Sequence, residues 1–136
     1  MSCELCDSDG GVLLWQDSQL RVVYVDDPDY IGYCRVIWRA HVAEMTDLEA
    51  SGRAHCMAVV FTVETVLREL IKPDKINLAS LGNLTPHVHW HVIARYRDDA
   101  YFPLSIWGAR QRQAPARDRE NLPQRLTQSL ATRLTR

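Results

Sequence analysis

The sequence predicts an α+β domain: an antiparallel sheet of about five strands, one long helix packed on it, and a helix at the C-terminus. Three observations predict it. Short apolar runs separated by turn signals fill the first forty residues, a helical period takes over near residue 47 and stops at Pro73, and leucines recur every four residues after residue 120. Strands that neighbour one another in sequence, with the helices grouped apart from them, belong to the α+β arrangement rather than to alternating βα units.

Gly10-Gly11 is a turn signal, so Val12–Gln16 reads as the first strand and the β-branched run Leu20–Val25 as the second. Asp26-Asp27-Pro28-Asp29 is a loop by composition, and Tyr33–Trp38 is a third strand, completing an antiparallel meander. Thr46-Asp47-Leu48-Glu49 has the form of a capping box, with Thr46 as N-cap and Glu49 reaching back. Beyond it Val59, Val63, Val66, Leu67 and Leu70 recur at helical spacing, with Arg53, Glu64, Arg68 and Glu69 at polar positions. This predicts a helix over 47–71, weakened at Ser51-Gly52 and ended by Pro73. Ile76–Leu81 and Val88–Ala94 read as the remaining strands, joined by the loop Gly82–Pro86. After Arg95 the chain is irregular until Leu122, Leu126, Leu130 and Leu134 mark an amphipathic helix. That stripe either docks on the body of its own subunit or meets a second subunit. The organisation expected is a body over 1–107 and a tail with its helix over 108–136.

A chain of 136 residues suits one domain and is long enough to bury roughly two-thirds of its unfolded surface. The net charge of −1 argues against a general nucleic-acid coat and against a polybasic membrane anchor, and leaves a small anionic ligand open. No apolar run approaches the roughly 18 residues of a membrane span. The segment Met1–Asp7 lacks the character of a signal peptide. The expected setting is therefore the cytoplasm, where four cysteines stay reduced. Cys34 and Cys56 sit in apolar stretches and read as core. Cys3 and Cys6, at Cys-x-x-Cys spacing, are half of a zinc site, a redox pair or two unrelated cysteines. A thioredoxin-like role needs a βαβ unit after the motif, and the Gly10-Gly11 turn does not supply one.

Chemistry concentrates in His87-Val88-His89-Trp90-His91-Val92-Ile93. Successive side chains of a strand point to opposite faces, so His87, His89 and His91 share one face while Val88, Trp90 and Val92 pack toward the helix. Three of the five histidines stand in this row. One metal held by all three is disfavoured. His87 and His91 should lie roughly 13 Å apart at Cα in an extended strand, whereas ligands of one zinc gather within a few Å. The three rings are therefore expected to do different work.

The spacing His-x-His-x-His followed by two apolar residues resembles the signature of the histidine triad (HIT) family. The segments Ile76–Asn83 and Arg95–Asp99 on either side resemble a bacterial branch of that family, and the likeness spans roughly residues 3–107. What the resemblance implies is a homodimeric, nucleotide-binding hydrolase or transferase in which the sheets of two subunits become continuous. It implies that His89 attacks the α-phosphorus and forms a covalent nucleotidyl-imidazole intermediate, with no metal required at the phosphate. It implies that His91 contacts the α-phosphate and helps deliver a proton to the leaving group. Asn77 matches the family's upstream amide residue near the phosphate, and Gly82-Asn83 matches a Gly-Gln pair that approaches and donates to it. Many members carry Ser or Thr next; here Leu84 stands there and Thr85 follows, so Thr85 or a backbone N–H is expected to substitute. Some members and their uridylyltransferase relatives bind structural zinc at positions that map to Cys3, Cys6, His41 and His87. A C-terminal aromatic that reaches the partner subunit's site maps to Trp107.

Base and ribose contacts are expected from the first strands, at Leu14, Val23 or Tyr24. His55 reads as an ordinary surface or boundary residue. Between Arg95 and Arg119 stand six arginines against three aspartates, a local balance of +3 that suits either outer phosphates or a solvated loop. The leading expectation is hydrolysis of a dinucleoside polyphosphate or nucleoside phosphoramidate. Its rivals are nucleotidyl transfer to a non-water acceptor, a nucleotide-binding regulatory module without turnover, and a purely zinc-binding structural protein.

Overall fold

The computed structural model describes residues 2–134. The sheet runs β1 (Val12–Gln16), β2 (Leu20–Tyr24), β3 (Tyr33–Trp38), β4 (Lys75–Ala79) and β5 (His89–Arg95). Its order is β1-β2-β3-β5-β4, antiparallel throughout. Helix α1 (Glu4–Asp7) precedes the sheet, α2 (Ala50–Ile71) lies between β3 and β4, and α3 (Leu122–Arg133) closes the chain. No helix among the described residues is long and apolar enough to cross a membrane.

The main core lies between the sheet and α2. Leu20, Val22, Tyr24, Cys34, Val36, Trp38, Val88 and Val92 meet Val59, Val60, Val63, Val66 and Leu67 of the helix in one cluster. Each such side chain contributes about 1.5–3 kcal/mol when fully buried. Gly52 belongs in the helix because the Trp38 ring packs there, 3.3 Å from where a Cβ would stand. Leu122, Leu126 and Leu130 join the same cluster, so the terminal leucine stripe docks on its own subunit. Cys34 and Cys56 are buried in this core, and burial pushes their thiols up to about 12 and about 11.

The start of α2 departs from the capping-box expectation. Met45–Asp47 forms a separate 3-10 turn in which the Asp47 carboxylate accepts from the Glu44 N–H at 3.1 Å, and Glu49 rather than Thr46 is the N-cap of α2. Leu48 is buried and its backbone is extended, so burial of that side chain interrupts the helical run. At the other end Lys72 takes a left-handed conformation, with φ of 47°, before Pro73. His55 is not free at the surface: its Nε2 lies 2.7 Å from Asp17 Oδ2, tying α2 to the β1–β2 turn.

The opposite sheet face is covered by two separate segments. Near the start of β5, Leu5 packs on Val23 and Ile37. Arg21 holds this segment down by donating to the carbonyls of Leu5, Ser8 and Asp9 at 2.7–2.9 Å. Near its end Tyr30, Tyr33 and Ile93 cluster, with Tyr101 and Ile106 of the loop after β5 packed against them. That loop is organised by a buried ion pair. Arg95 Nε and Nη2 donate to the two carboxylate oxygens of Asp99 at 2.7 and 3.0 Å, and Nη2 also donates to the Leu104 carbonyl. Asp99 accepts in addition from the N–H groups of Tyr96, Tyr101 and Phe102. Burial pushes the Asp99 carboxyl up, but the Arg95 guanidinium and these N–H groups outweigh it and hold the carboxyl below its ordinary range.

The remaining arginines of this segment do not form a free basic surface. Arg97, Arg110, Arg117 and Arg119 pair with Asp74, Asp29, Asp98 and Asp26, and the three of these aspartates outside the segment, Asp74, Asp29 and Asp26, offset its local balance of +3.

Asp99→Ala leaves the Arg95 charge buried without its partner, a type of loss that costs about 3–5 kcal/mol. Urea titration of the variant should show a fall of that size, and a double Arg95→Met, Asp99→Leu variant should recover much of it. A loss of under about 1 kcal/mol for Asp99→Ala would show that this ion pair does not hold the loop.

Candidate active site and metal cluster

Antiparallel register decides which side chains meet on the face away from α2. Ile37 lies opposite His89, Arg35 opposite His91 and Tyr33 opposite Ile93, while Ala79 and Asn77 of β4 flank His91 and Ile93 from the other side. His87 precedes β5, and its Nε2 donates to the Trp38 carbonyl at 2.6 Å. His89 and His91 stand edge to face with ring centroids 5.0 Å apart. All three histidines are buried.

Each ring has a distinct set of partners. His89 Nδ1 lies 2.6 Å from the His87 carbonyl oxygen. A carbonyl only accepts, so Nδ1 carries the hydrogen and Nε2 of the neutral ring keeps its lone pair. His91 Nδ1 lies 3.0 Å from the Tyr33 hydroxyl. Burial, with His89 and Arg35 nearby, pushes His91 down to about 4, so it is neutral at ordinary pH. The Trp107 ring stands against His91 with centroids 5.0 Å apart. The resemblance implied an aromatic reaching a partner's site, but Trp107 reaches His91 of its own chain, because the loop anchored at Asp99 folds back over β5.

A cavity of about 400 Å³ opens beside His89, lined by Glu44, Met45, Ser80, Gly82 and Asn83 among others. That volume falls within the range of small-ligand sites. Gly82 and Asn83 are thus brought to His89. Thr85 is not: it lies with Cys3, Cys6 and His41 in a neighbouring recess. Leu84 is 95% exposed. Asn77 is on the histidine face, but one rung beyond His91, and its carbonyl oxygen accepts from Arg95 Nη1 at 2.8 Å.

Leu14 and Tyr24 belong to the core beneath α2, on the other side of the sheet, and Val23 is sealed beneath Leu5 and Ile37. The register shifts between Leu13 and Trp15, and Leu14 at that irregularity packs into the core. Sequence reasoning missed Tyr33, Arg35 and Ser80. The first two share the histidine face, and Ser80 donates to the His89 carbonyl at 2.8 Å. Alternation places Tyr33, Arg35 and Ile37 together, but only the pairing with β5 says on which side.

Around His87 four ligand-type atoms converge. Cys3 Sγ, Cys6 Sγ, His41 and His87 present atoms that all lie within 4.8 Å of one another. His87 Nδ1 is 3.5 Å from each sulfur, His41 Nδ1 is 3.4 Å from Cys6 Sγ, and the two Nδ1 atoms are 3.2 Å apart. A tetrahedral zinc with ordinary Zn–S and Zn–N bonds sets S···N at roughly 3.6 Å and N···N at roughly 3.3 Å, so the donor set fits that ion. Burial, opposed by the Trp38 carbonyl, pushes the His87 ring below its ordinary value, and a neutral ring is the form that ligates. The Trp38 carbonyl also fixes its orientation, as second partners do at metal-binding histidines.

The family model described as HIT domain matches residues 10–98. Several solved structures are similar to the chain. A histidine triad protein from Bradyrhizobium japonicum is 30% identical, with a TM-score of 0.76 over 89% of this chain and 91% of that one. One from Marinobacter aquaeolei VT8 is 22% identical, with a TM-score of 0.79 over 97% and 96%. A zinc-bound histidine triad family protein from Mycobacterium smegmatis is 25% identical, with a TM-score of 0.70 over 99% and 97%. None of the curated proteins compared matches. With the imidazole row on one sheet face and the family model covering most of the body, the chain belongs to the histidine triad family of nucleotide-binding hydrolases and transferases.

Proposed function

We propose that this protein cleaves nucleoside phosphoramidates or dinucleoside polyphosphates through a nucleotidyl-His89 intermediate. The observation that carries the proposal is the 2.6 Å contact between His89 Nδ1 and the His87 carbonyl. It holds the ring in one tautomer and leaves Nε2 as the nucleophile. In the first step the Nε2 lone pair forms a bond to the α-phosphorus, and the bond from phosphorus to the leaving oxygen or nitrogen breaks with its electron pair. The leaving group takes a proton from water, and the water that attacks in the second step gives one back. In the second step water attacks the same phosphorus, the P–N bond breaks back onto Nε2, and nucleoside monophosphate is released. Splitting one displacement into two is the advantage of covalent catalysis.

The other side chains have roles that follow from their positions. The Tyr33 hydroxyl lies 3.0 Å from His91 Nδ1; with the hydroxyl as donor in that pair, His91 Nε2 carries the N–H that serves the phosphate and leaving group. Gly82 and Asn83 offer donors from the cavity rim. Trp107, half exposed beside His91, offers a face to the substrate. Cys3, Cys6, His41 and His87 would hold zinc; the ion would supply a cross-link between the N-terminal segment and β5, outside the bond-making steps. The zinc-bound Mycobacterium smegmatis relative supports this part of the proposal. Strand β4 is a sheet edge, which suits a homodimer with a continuous sheet. A cytoplasmic setting completes the proposal.

Rapid-quench mass spectrometry of the intact protein with adenosine phosphoramidate or diadenosine tetraphosphate tests the chemistry. A nucleotidyl adduct on His89 with release of AMP is expected. His89→Ala should lose the adduct and about 10⁴-fold or more of the turnover, the scale seen when a covalent nucleophile is removed. Nucleotide binding with neither adduct nor AMP would overturn it in favour of a regulatory module.

His91 remains neutral in the folded protein down to about pH 4, whereas in the unfolded chain it takes up a proton near 6.5. The unfolded chain therefore binds more protons in between, and stability present above pH 6.5 is lost as pH falls through that window. Melting temperature should fall less for His91→Gln than for wild type between pH 6.5 and 4.5. Asp17 and Asp99, held below 3.8, act only at lower pH. Equal slopes would show that His91 is not buried as a neutral ring.

Metal analysis should find about one zinc per chain in the purified protein, lost in Cys3→Ser, Cys6→Ser together with a lower melting temperature. Full zinc retention by that variant would remove the two sulfurs from the proposed ligand set.

A further inference from the structure

One cation on the histidine face has donors that the fold leaves unspent. Arg21 is occupied by the carbonyls of Leu5, Ser8 and Asp9. Arg95 is consumed by Asp99, Asn77 and Leu104. Arg35 is different. Its Nη1 donates to the Gly10 carbonyl at 3.0 Å and its guanidinium reaches the Tyr33 side chain, but its Nε is buried without a partner. No carboxylate lies within ion-pair distance of it among the described residues. An unmade hydrogen bond from a buried donor costs about 1–3 kcal/mol, and more for a charged group. An arginine kept in that condition on the same sheet face as His89 and His91 is a group that a ligand can satisfy.

We propose that Arg35 binds the α-phosphate of the nucleotide that His89 attacks. The assignment presupposes the His89 chemistry proposed above and adds the charge that chemistry lacks. Arg35 lies directly opposite His91 in the β3–β5 register, and His89 is on the next rung of the same face. Directly opposed residues have Cβ atoms about 4.5–5.5 Å apart, well within the reach of an arginine. The guanidinium carbon is 5.6 Å from the centre of the Tyr33 ring, whose hydroxyl meets His91. The phosphoryl oxygens carry a full negative charge, and neutral imidazoles do not balance it. A partly exposed guanidinium does, with parallel donors spaced for two phosphoryl oxygens. The residue would therefore separate nucleotides from nucleosides: the phosphate gains a fixed cation while the base and ribose gain nothing from it.

A purely structural Arg35, holding Gly10 and stacking on Tyr33, makes a different prediction. Isothermal titration of the full-length, metal-replete protein with AMP and with adenosine separates the two. Arg35→Gln should weaken AMP about 10- to 100-fold, the value of one charge-assisted hydrogen-bonded contact, and leave adenosine within about twofold. Arg35→Lys, which keeps the charge and loses the fork, should fall between wild type and Arg35→Gln. If Arg35→Gln does not fold, Arg35→Lys alone decides: a lowered preference for AMP over adenosine supports the assignment, and an unchanged preference overturns it. Equal weakening of both ligands, or AMP affinity kept within twofold, also overturns it. Wild-type protein that binds neither ligand would sink the nucleotide chemistry itself, whereas wild-type binding with an indifferent Arg35 sinks this assignment alone.

Discussion

Strand β5 has a period of two, and that period divides its residues between environments that do not mix. Val92 and the neighbouring Val88 face the helix in the main core, while His89 and His91 face the other way. A slip of one residue would bury imidazoles under α2 and expose the valines, so the core fixes the register and the register fixes the site. The large buried area on the helix side therefore secures the position of a few polar atoms on the other side. The site needs little packing energy of its own.

What the sheet does not supply, two short segments do. The N-terminal turn, held by Arg21, carries both cysteines to His87. The loop after β5, held by the Arg95–Asp99 pair, carries Trp107 to His91. Between them lie His89 and the cavity formed by residues 43–46 and 80–83. Each anchor is an arginine whose donors are used on carbonyls or on one carboxylate, so neither is available to a ligand. Arg35, with donors left over, stands out against that background.

Much of this architecture can be read from the chain because it depends on local period. The five strands, the long helix and the imidazole row follow from alternation and helical spacing. So does the leucine stripe of α3, though not the surface it meets. Features set by long-range pairing were not legible. Leu14, expected at the base or ribose, is buried in the core beneath α2, at an irregularity of register that no local pattern announces. Thr46 reads as a helix cap because nothing local says that Leu48 must turn inward. The resemblance offers Thr85 or a backbone N–H at the phosphate, and the loop sets Thr85 beside the cysteines. Arg35 and Tyr33 look like ordinary strand residues until β5 is set beside them. The arginines after residue 95 look like a basic patch until Asp26, Asp29 and Asp74 arrive from distant segments.

His87 contributes to two places at once. Its ring stands among the cysteines and His41, and its main-chain carbonyl orients His89. A substitution changes the side chain, while the carbonyl is present whatever residue occupies the position. A lineage can therefore lose the metal cluster without losing the group that sets the nucleophile's tautomer. The reverse is not true: an insertion or a proline that displaces this peptide unit would damage both together. Substitution at position 87 should be tolerated across descendants far more readily than any change in chain length between His87 and His89.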